Sequence, residues 1–221
     1  MKRALLITSI CGLGLLPPSC VPAPPDREAG GTPTLEAQAP VAESPEPATS
    51  PIAIDDAGFV PSGWMGNGAA AGHLSVDAAN REASRTGPTS VKISYAPGPA
   101  GWAALAWQYP ESNWGELPGR NWQSRGYREV SFWARAARDR RGDLPSVQFK
   151  AGGHTDPAKP HPASFAVAGE FVPLTDEWSR HTLRIGGEDL SNIASALVVV
   201  IRAEDVGPDG ATLWLDDIEY R

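Results

Sequence analysis

Two acidic pairs stand near the ends of the part of this chain that can fold: Asp55-Asp56 in IAIDDAGF and Asp216-Asp217 in ATLWLDDIEYR. If pairing of the first and last strands gathers them, four carboxylates repel one another unless a cation neutralises them, and oxygen-only ligation suits Ca²⁺. The simpler reading is that one Asp of each pair faces solvent and caps a turn. A second constellation is aromatic. The run GWAALAWQYPESNWGELPGRNW, from Gly101 to Trp122, opens as a strand and breaks at Pro110 into a polar, glycine-rich loop that carries Trp114 and ends at Trp122. Large aromatics in such a loop either pin it onto the fold or offer a flat apolar face to a ligand. The excess of Trp, eight against four Tyr and five Phe, gives that question weight.

A third constellation follows from strand alternation, because successive side chains point to opposite faces. If Val130, Phe132, Val147 and Phe149 point inward, then Trp133, Arg135, Gln148 and Lys150 point outward. Leu105 and Trp107 inward puts Gln108 out, and Leu197, Val199 and Ile201 inward puts Arg202 out. Gathered on one face, these residues supply the chemistry of a sugar site. An indole stacks on a pyranose ring, and amides and cations hold hydroxyls or carboxylates, with the cations leaning towards an acidic glycan. An ordinary solvated sheet face, with one Trp under a loop, is the alternative. Trp64, Trp102, Trp114 and Trp122 lie near loops and are further candidates, whereas Trp178 and Trp214 read as packing residues.

Catalysis finds little support. The four histidines, His73, His154, His161 and His181, are dispersed; only His154 and His161 share a loop, with Asp156, and that makes at most a weak metal site. No nucleophile elbow, phosphate-binding loop or Cys/His zinc spacing is present. Glycoside hydrolysis requires two facing carboxylates, and nothing pairs the loop residues Glu111, Glu116 and Asp143. The expectation is a non-enzymatic protein.

The elements that must position these groups read as an all-β domain. From Ile52 onward, turn signals recur at short intervals and no segment has a helical period. Strands are expected near 52–55, 73–77, 90–96, 102–109, 128–136, 146–151, 163–172, 178–185, 195–202 and 211–220. The last but one is apolar on both sides at Val198 and Val200, which suits a central strand. Short strands with long loops and no helices predict a jelly-roll β-sandwich over 52–221. An immunoglobulin-like sandwich and a closed barrel are the alternatives; the first is usually nearer about 100 residues.

Ahead of that domain, Lys2 and Arg3 precede an apolar stretch over residues 4–16 that Pro17-Pro18 ends. This is the shape of a signal peptide (1–19), too short to span a bilayer. Cys20 follows in LLPPSC, which resembles the lipobox of bacterial lipoproteins, with Pro17 and Pro18 where Leu and a small residue are usual. The resemblance implies a lipidated Cys20, ordinary secretion with a spare thiol being the alternative. Cys11 would leave with the signal peptide, so the mature chain has no internal disulfide. Residues 20–51 contain eight prolines and five acidic residues against one Arg, and read as an extended linker that cannot bury enough to fold. The resulting expectation is a monomer on the cell envelope, outer membrane or cell surface, touching the membrane only through the lipid. The net charge of −7 and pI near 5.1 exclude nucleic acid as the main partner.

The beginning IAIDDAGF and the end LWLDDIEYR, with the order of strands between them, resemble the jelly-roll carbohydrate-binding modules, a galactose-binding-like fold. That resemblance implies sugar binding and a structural calcium at the acidic termini. The pieces Trp107-Gln108, Asn113-Trp114-Gly115, Pro118-Gly119, Phe132-Trp133-Ala134-Arg135 and Phe149-Lys150-Ala151-Gly152-Gly153 are similar to a group of bacterial exported domains. VQFKAGGH, residues 147–154, also resembles the F-K-A-G strand of jelly-roll alginate lyases. The chain lacks that family's Arg-x-Glu-x-Arg and Gln-[Ile/Val]-His strands and the Tyr that would follow. The expected function is therefore a non-catalytic module binding a poly- or oligosaccharide. An envelope scaffold or protein-interaction domain is the alternative, and a lyase or hydrolase the more distant one.

Overall fold

Alternating apolar and polar residues build two antiparallel sheets whose apolar faces meet. The computed structural model describes residues 50–66, 73–98, 101–153 and 156–221, which fall within one compact unit, Pro45–Arg221. The signal peptide, Cys20 and the proline-rich linker up to residue 49 lie outside the described residues, as does His154.

The strands are β1 (Ile52–Ala53), β2 (Val60–Gly66), β3 (Leu74–Asn80), β4 (Ser90–Tyr95), β5 (Trp102–Gln108), β6 (Glu129–Ala136), β7 (Ser146–Gly152), β8 (Ala166–Pro173), β9 (Ser179–Arg184), β10 (Ser195–Arg202) and β11 (Ala211–Tyr220). One sheet runs β3-β4-β11-β6-β9, with β1 added to the end of β11 through Ile52↔Tyr220 and Ala53↔Glu219. The other runs β2-β5-β10-β7-β8. The first and last strands are thus neighbours, and the backbone N–H of Ile54 continues the pairing to the Ile218 carbonyl at 3.0 Å. Two packed antiparallel sheets of this kind are the jelly-roll sandwich that the strand pattern predicts.

The core is the set of residues the alternation sends inward. Ile93 and Tyr95 of β4, Val130, Phe132 and Ala134 of β6, and Leu213 and Leu215 of β11 face Leu105 and Trp107 of β5, Val147 and Phe149 of β7, and Leu197, Val199 and Ile201 of β10. At one end an aromatic cluster closes the gap between the sheets. Trp122 meets Phe59, Tyr127 and Tyr220 edge-on, with ring centroids 5.6, 5.4 and 4.8 Å away. The Tyr220 hydroxyl donates to the Ala196 carbonyl at 3.0 Å, which satisfies a group in full burial and ties the two sheets together.

One strand escapes the sequence pattern. β2 (VPSGWMG) contains Pro61, Gly63 and Gly66, which read as turn signals. It is a strand because it lies at the sheet edge, where Pro needs no inward N–H partner, and because its register shifts between Pro61 and Gly63. Gly63 is required there. A Cβ would stand 2.7 Å from Gln108 Cδ and 2.9 Å from Ala106 Cβ.

Candidate functional site

The outward residues nominated from alternation do point outward, but they belong to two different sheets. Trp133 and Arg135 are on β6, in the β11 sheet, whereas Gln108, Gln148, Lys150 and Arg202 are on β5, β7 and β10. The expectation of one shared face is corrected accordingly: the two groups lie on opposite outer surfaces of the sandwich.

On the β11 sheet, Trp133 is covered. The Arg85 guanidinium lies 3.7 Å over its ring and also pairs with Asp217 at 2.7 Å. Beside it, Trp214 is only 9% exposed, its indole N–H donates to Asn80 Oδ1 at 3.0 Å, and Arg135 and Lys92 approach its ring. Both indoles are therefore packing residues in a surface of cation–π and ion-pair contacts.

The same contacts decide the acidic termini. Asp216 accepts the backbone N–H groups of Arg85 (2.7 Å) and Thr86 (3.2 Å) on one carboxylate oxygen and that of Asp217 on the other. Asp217 takes the Arg85 guanidinium and the Thr86 hydroxyl. Asp55, on a solvent-exposed turn, is held above the usual carboxylate range by packing around its carboxyl and by the nearby charges of Asp56 and Asp216. Pairing of β1 with β11 brings the acidic pairs close, and the Arg85 guanidinium offsets the charge of Asp217. Among the described residues no group of three or more His, Cys, Asp or Glu is arranged to hold a metal ion. That statement covers Asp156 and His161 as well.

The opposite outer surface, on the β10 sheet, contains a trough of about 400 Å³. Cross-strand pairing explains its floor. Ala104 faces Val200, Ala106 faces Val198, and Met65 continues the first of these rows on β2. These side chains pack on one another as a small apolar cluster separate from the main core. Small residues on the middle strands leave a depression, because the bulk stands at the margins. Trp102, 40% exposed, rises at the start of β5; Trp114 closes the far end; Lys150 borders β10 through its pairing with Val198.

Trp114 is held by the NWG segment of the loop after β5. Asn113, 3% exposed, is the hub. Its amide nitrogen donates to the carbonyls of Tyr109 (3.0 Å) and Leu117 (2.8 Å), and its amide oxygen accepts from the N–H groups of Gly115 (3.0 Å) and Leu117 (3.1 Å). Gly115 sits at φ +89, a left-handed conformation, and its carbonyl accepts from the His161 N–H at 2.8 Å. Lys159 pairs with Glu116 at 2.5 Å, so a second loop steadies the first. Gln108 is fully buried beneath this loop, donating to the Asn113 carbonyl at 2.9 Å.

The remaining nominated polar groups are engaged as well. The Gln148 amide donates to the Gly169 carbonyl at 2.8 Å. Arg202 stacks 3.8 Å over Phe171 and pairs with Asp205 and Glu204. Of the loop tryptophans, Trp64 packs against the core and Trp122 is buried in it. The structure brings Lys150, Trp102 and Trp114 to one concavity. The sequence signal for the rest of that site is the outward series Trp102, Ala104, Ala106, in which a large aromatic is followed by small residues, beside a β10 strand apolar on both sides.

No protein-family model matches this sequence, and no curated protein matches it. Solved structures do. The family 11 carbohydrate-binding module of the cellulosomal cellulase Lic26A-Cel5E of Clostridium thermocellum is similar over 79% of this chain and 95% of its own, at a TM-score of 0.52 and 13% identity. The family 30 module of the C. thermocellum cellulosomal cellulase Cel9D-Cel44B is similar over 68% of this chain and 83% of its own (TM-score 0.44, 15% identity). The xylan-binding domain CBM22-1 of Paenibacillus barcinonensis Xyn10C is similar over 72% and 85% (TM-score 0.43, 15% identity). At 13% identity the likeness to the family 11 module concerns the architecture alone: the described domain is a jelly-roll β-sandwich.

Proposed function

We propose that this protein is a non-catalytic carbohydrate-binding domain, and that the trough on the outer face of the β10 sheet is where a sugar chain lies. The observation that carries the reading is the pair of indoles, Trp102 and Trp114, at opposite ends of an apolar floor. Sugar rings present flat C–H faces that stack on aromatic side chains, while their hydroxyls stay hydrated at the rim. From Trp102 to Gln108, where the Trp114 loop begins, β5 advances about 20 Å, so the trough suits several linked rings rather than a monosaccharide. Its volume of about 400 Å³ is within the range of small-ligand sites. The shared architecture with the C. thermocellum family 11 module supports the same reading.

Display on the bacterial envelope, through a lipid on Cys20 and the linker over 20–51, completes the proposal. A tethered module would hold its cell or its partner enzymes close to a glycan. The test is a glycan array with the full mature chain, followed by affinity electrophoresis on the polymers retained. Retention that Trp102→Ala and Trp114→Ala each weaken is the expected result. A chain that captures no glycan but does capture an envelope protein would establish the scaffold reading instead.

A further inference from the structure

We infer that the ligand of the trough carries a negative charge, a carboxylate or sulfate on the glycan, seated at Lys150. The inference rests on the sugar-binding reading above and narrows it to anionic glycans. It starts from what the trough offers a hydroxylated ligand. Its floor of Ala104, Ala106, Val198 and Val200 has no side-chain donor or acceptor, Ser195 on its lining is only 4% exposed, and the outward amides and guanidinium nominated from the sequence are engaged elsewhere. Gln108 is buried under the Asn113 loop, Gln148 is bonded to Gly169, and Arg202 is paired with Asp205 and Glu204.

Lys150 is different. It is half-buried on β7, lines the trough, and has no ion-pair or hydrogen-bond partner among the described residues. The chain has 26 Asp and Glu against 19 Lys and Arg, yet none of the described residues lining the trough is acidic. The other half-buried lysines are neutralised, Lys92 by Glu82 and Lys159 by Glu116, and the half-buried Arg120 and Arg135 lie over the rings of Tyr109 and Trp214. An ammonium left unpaired beside apolar walls is attracted to an incoming anion with less competition from water than at an open surface. The overall negative charge does not prevent this. Charges beyond about 8 Å are largely screened at physiological salt.

The experiment uses the full mature chain on an array containing neutral oligosaccharides, uronic-acid oligosaccharides and sulfated oligosaccharides of otherwise neutral sugars. Bound glycans are expected to be anionic, and the uronate and sulfate sets show which anion is read. Lys150→Gln should weaken binding about tenfold to a hundredfold, Lys150→Arg should keep most of it, and unchanged melting temperatures would show that both variants fold. Neutral glycans bound as tightly as their charged counterparts, or full affinity in Lys150→Gln, overturns this inference while leaving the sugar-binding reading in place. Binding to no glycan in any set overturns both.

Discussion

Replacing Trp102 by Ala removes the most exposed indole of the trough, and its effect on affinity can be worked from the structure. A Trp side chain has at most about 250 Å² to bury. At 40% exposure, roughly 100 Å² is open to a ligand. A sugar stacked on one face covers between half and all of that. At about 25 cal/mol per Å², the loss is about 1.3 to 2.5 kcal/mol, an eightfold to sixtyfold rise in Kd. The entropic cost of association is common to both proteins and cancels in the comparison. The assay is isothermal titration of the strongest array ligand into wild type and variant, with melting curves alongside, because the buried part of the ring packs beside Gly66. Trp133→Ala is the control. It removes a ring already covered by Arg85, so it should lower the melting temperature and leave Kd within about twofold. The reverse pattern, with Trp102→Ala binding normally and Trp133→Ala not binding, would refute the location of the site.

Three other outcomes are expected. Asn113→Ala should cost about 1 to 3 kcal/mol in unfolding experiments and raise hydrogen exchange across residues 109–119, because four hydrogen bonds of a buried amide hold that loop. Ligand affinity should fall with it, since Trp114 then loses its fixed position. His181, packed against Phe132 and Phe149, has its pKa lowered by burial, so the folded state favours the neutral ring. Its contribution is complete above the unfolded value near 6.5 and declines as pH falls through that value towards the folded pKa. The melting temperature should drop across that window and drop less in His181→Gln. Calcium or a chelator should leave the melting temperature unchanged, since the carboxylates of Asp216 and Asp217 are already held by Arg85 and Thr86; a rise on adding calcium would show that they rearrange to bind it.

Much of the architecture could be read from the chain because it depends on local rules. The period-two rhythm of Val91, Ile93 and Tyr95, of Val130, Phe132 and Ala134, and of Val147 and Phe149 marks both the strands and their buried sides, and each of these residues is buried. The doubly apolar β10 sits between β5 and β7, as its composition suggests. β2 was hidden because its Pro61 and Gly63 have positional meanings, edge and bulge, that only a neighbouring strand gives them. Asn113 reads as a turn residue, and nothing along the chain reveals that its amide organises the loop carrying Trp114.

The sequence by itself determined the class of fold, the strands other than β2, and for several of them which residues face in and which face out. The tertiary structure alone decided which outward residues share a surface. Alternation is a property of one strand, whereas membership of a sheet is set by pairings between segments far apart in the chain. Phe132-Trp133 and Phe149-Lys150 obey the same inward-outward rule, yet β6 pairs with β11 and β9, and β7 with β10 and β8. Trp133 and Lys150 therefore end on opposite sides of the sandwich, one beneath an arginine and the other open beside an apolar trough.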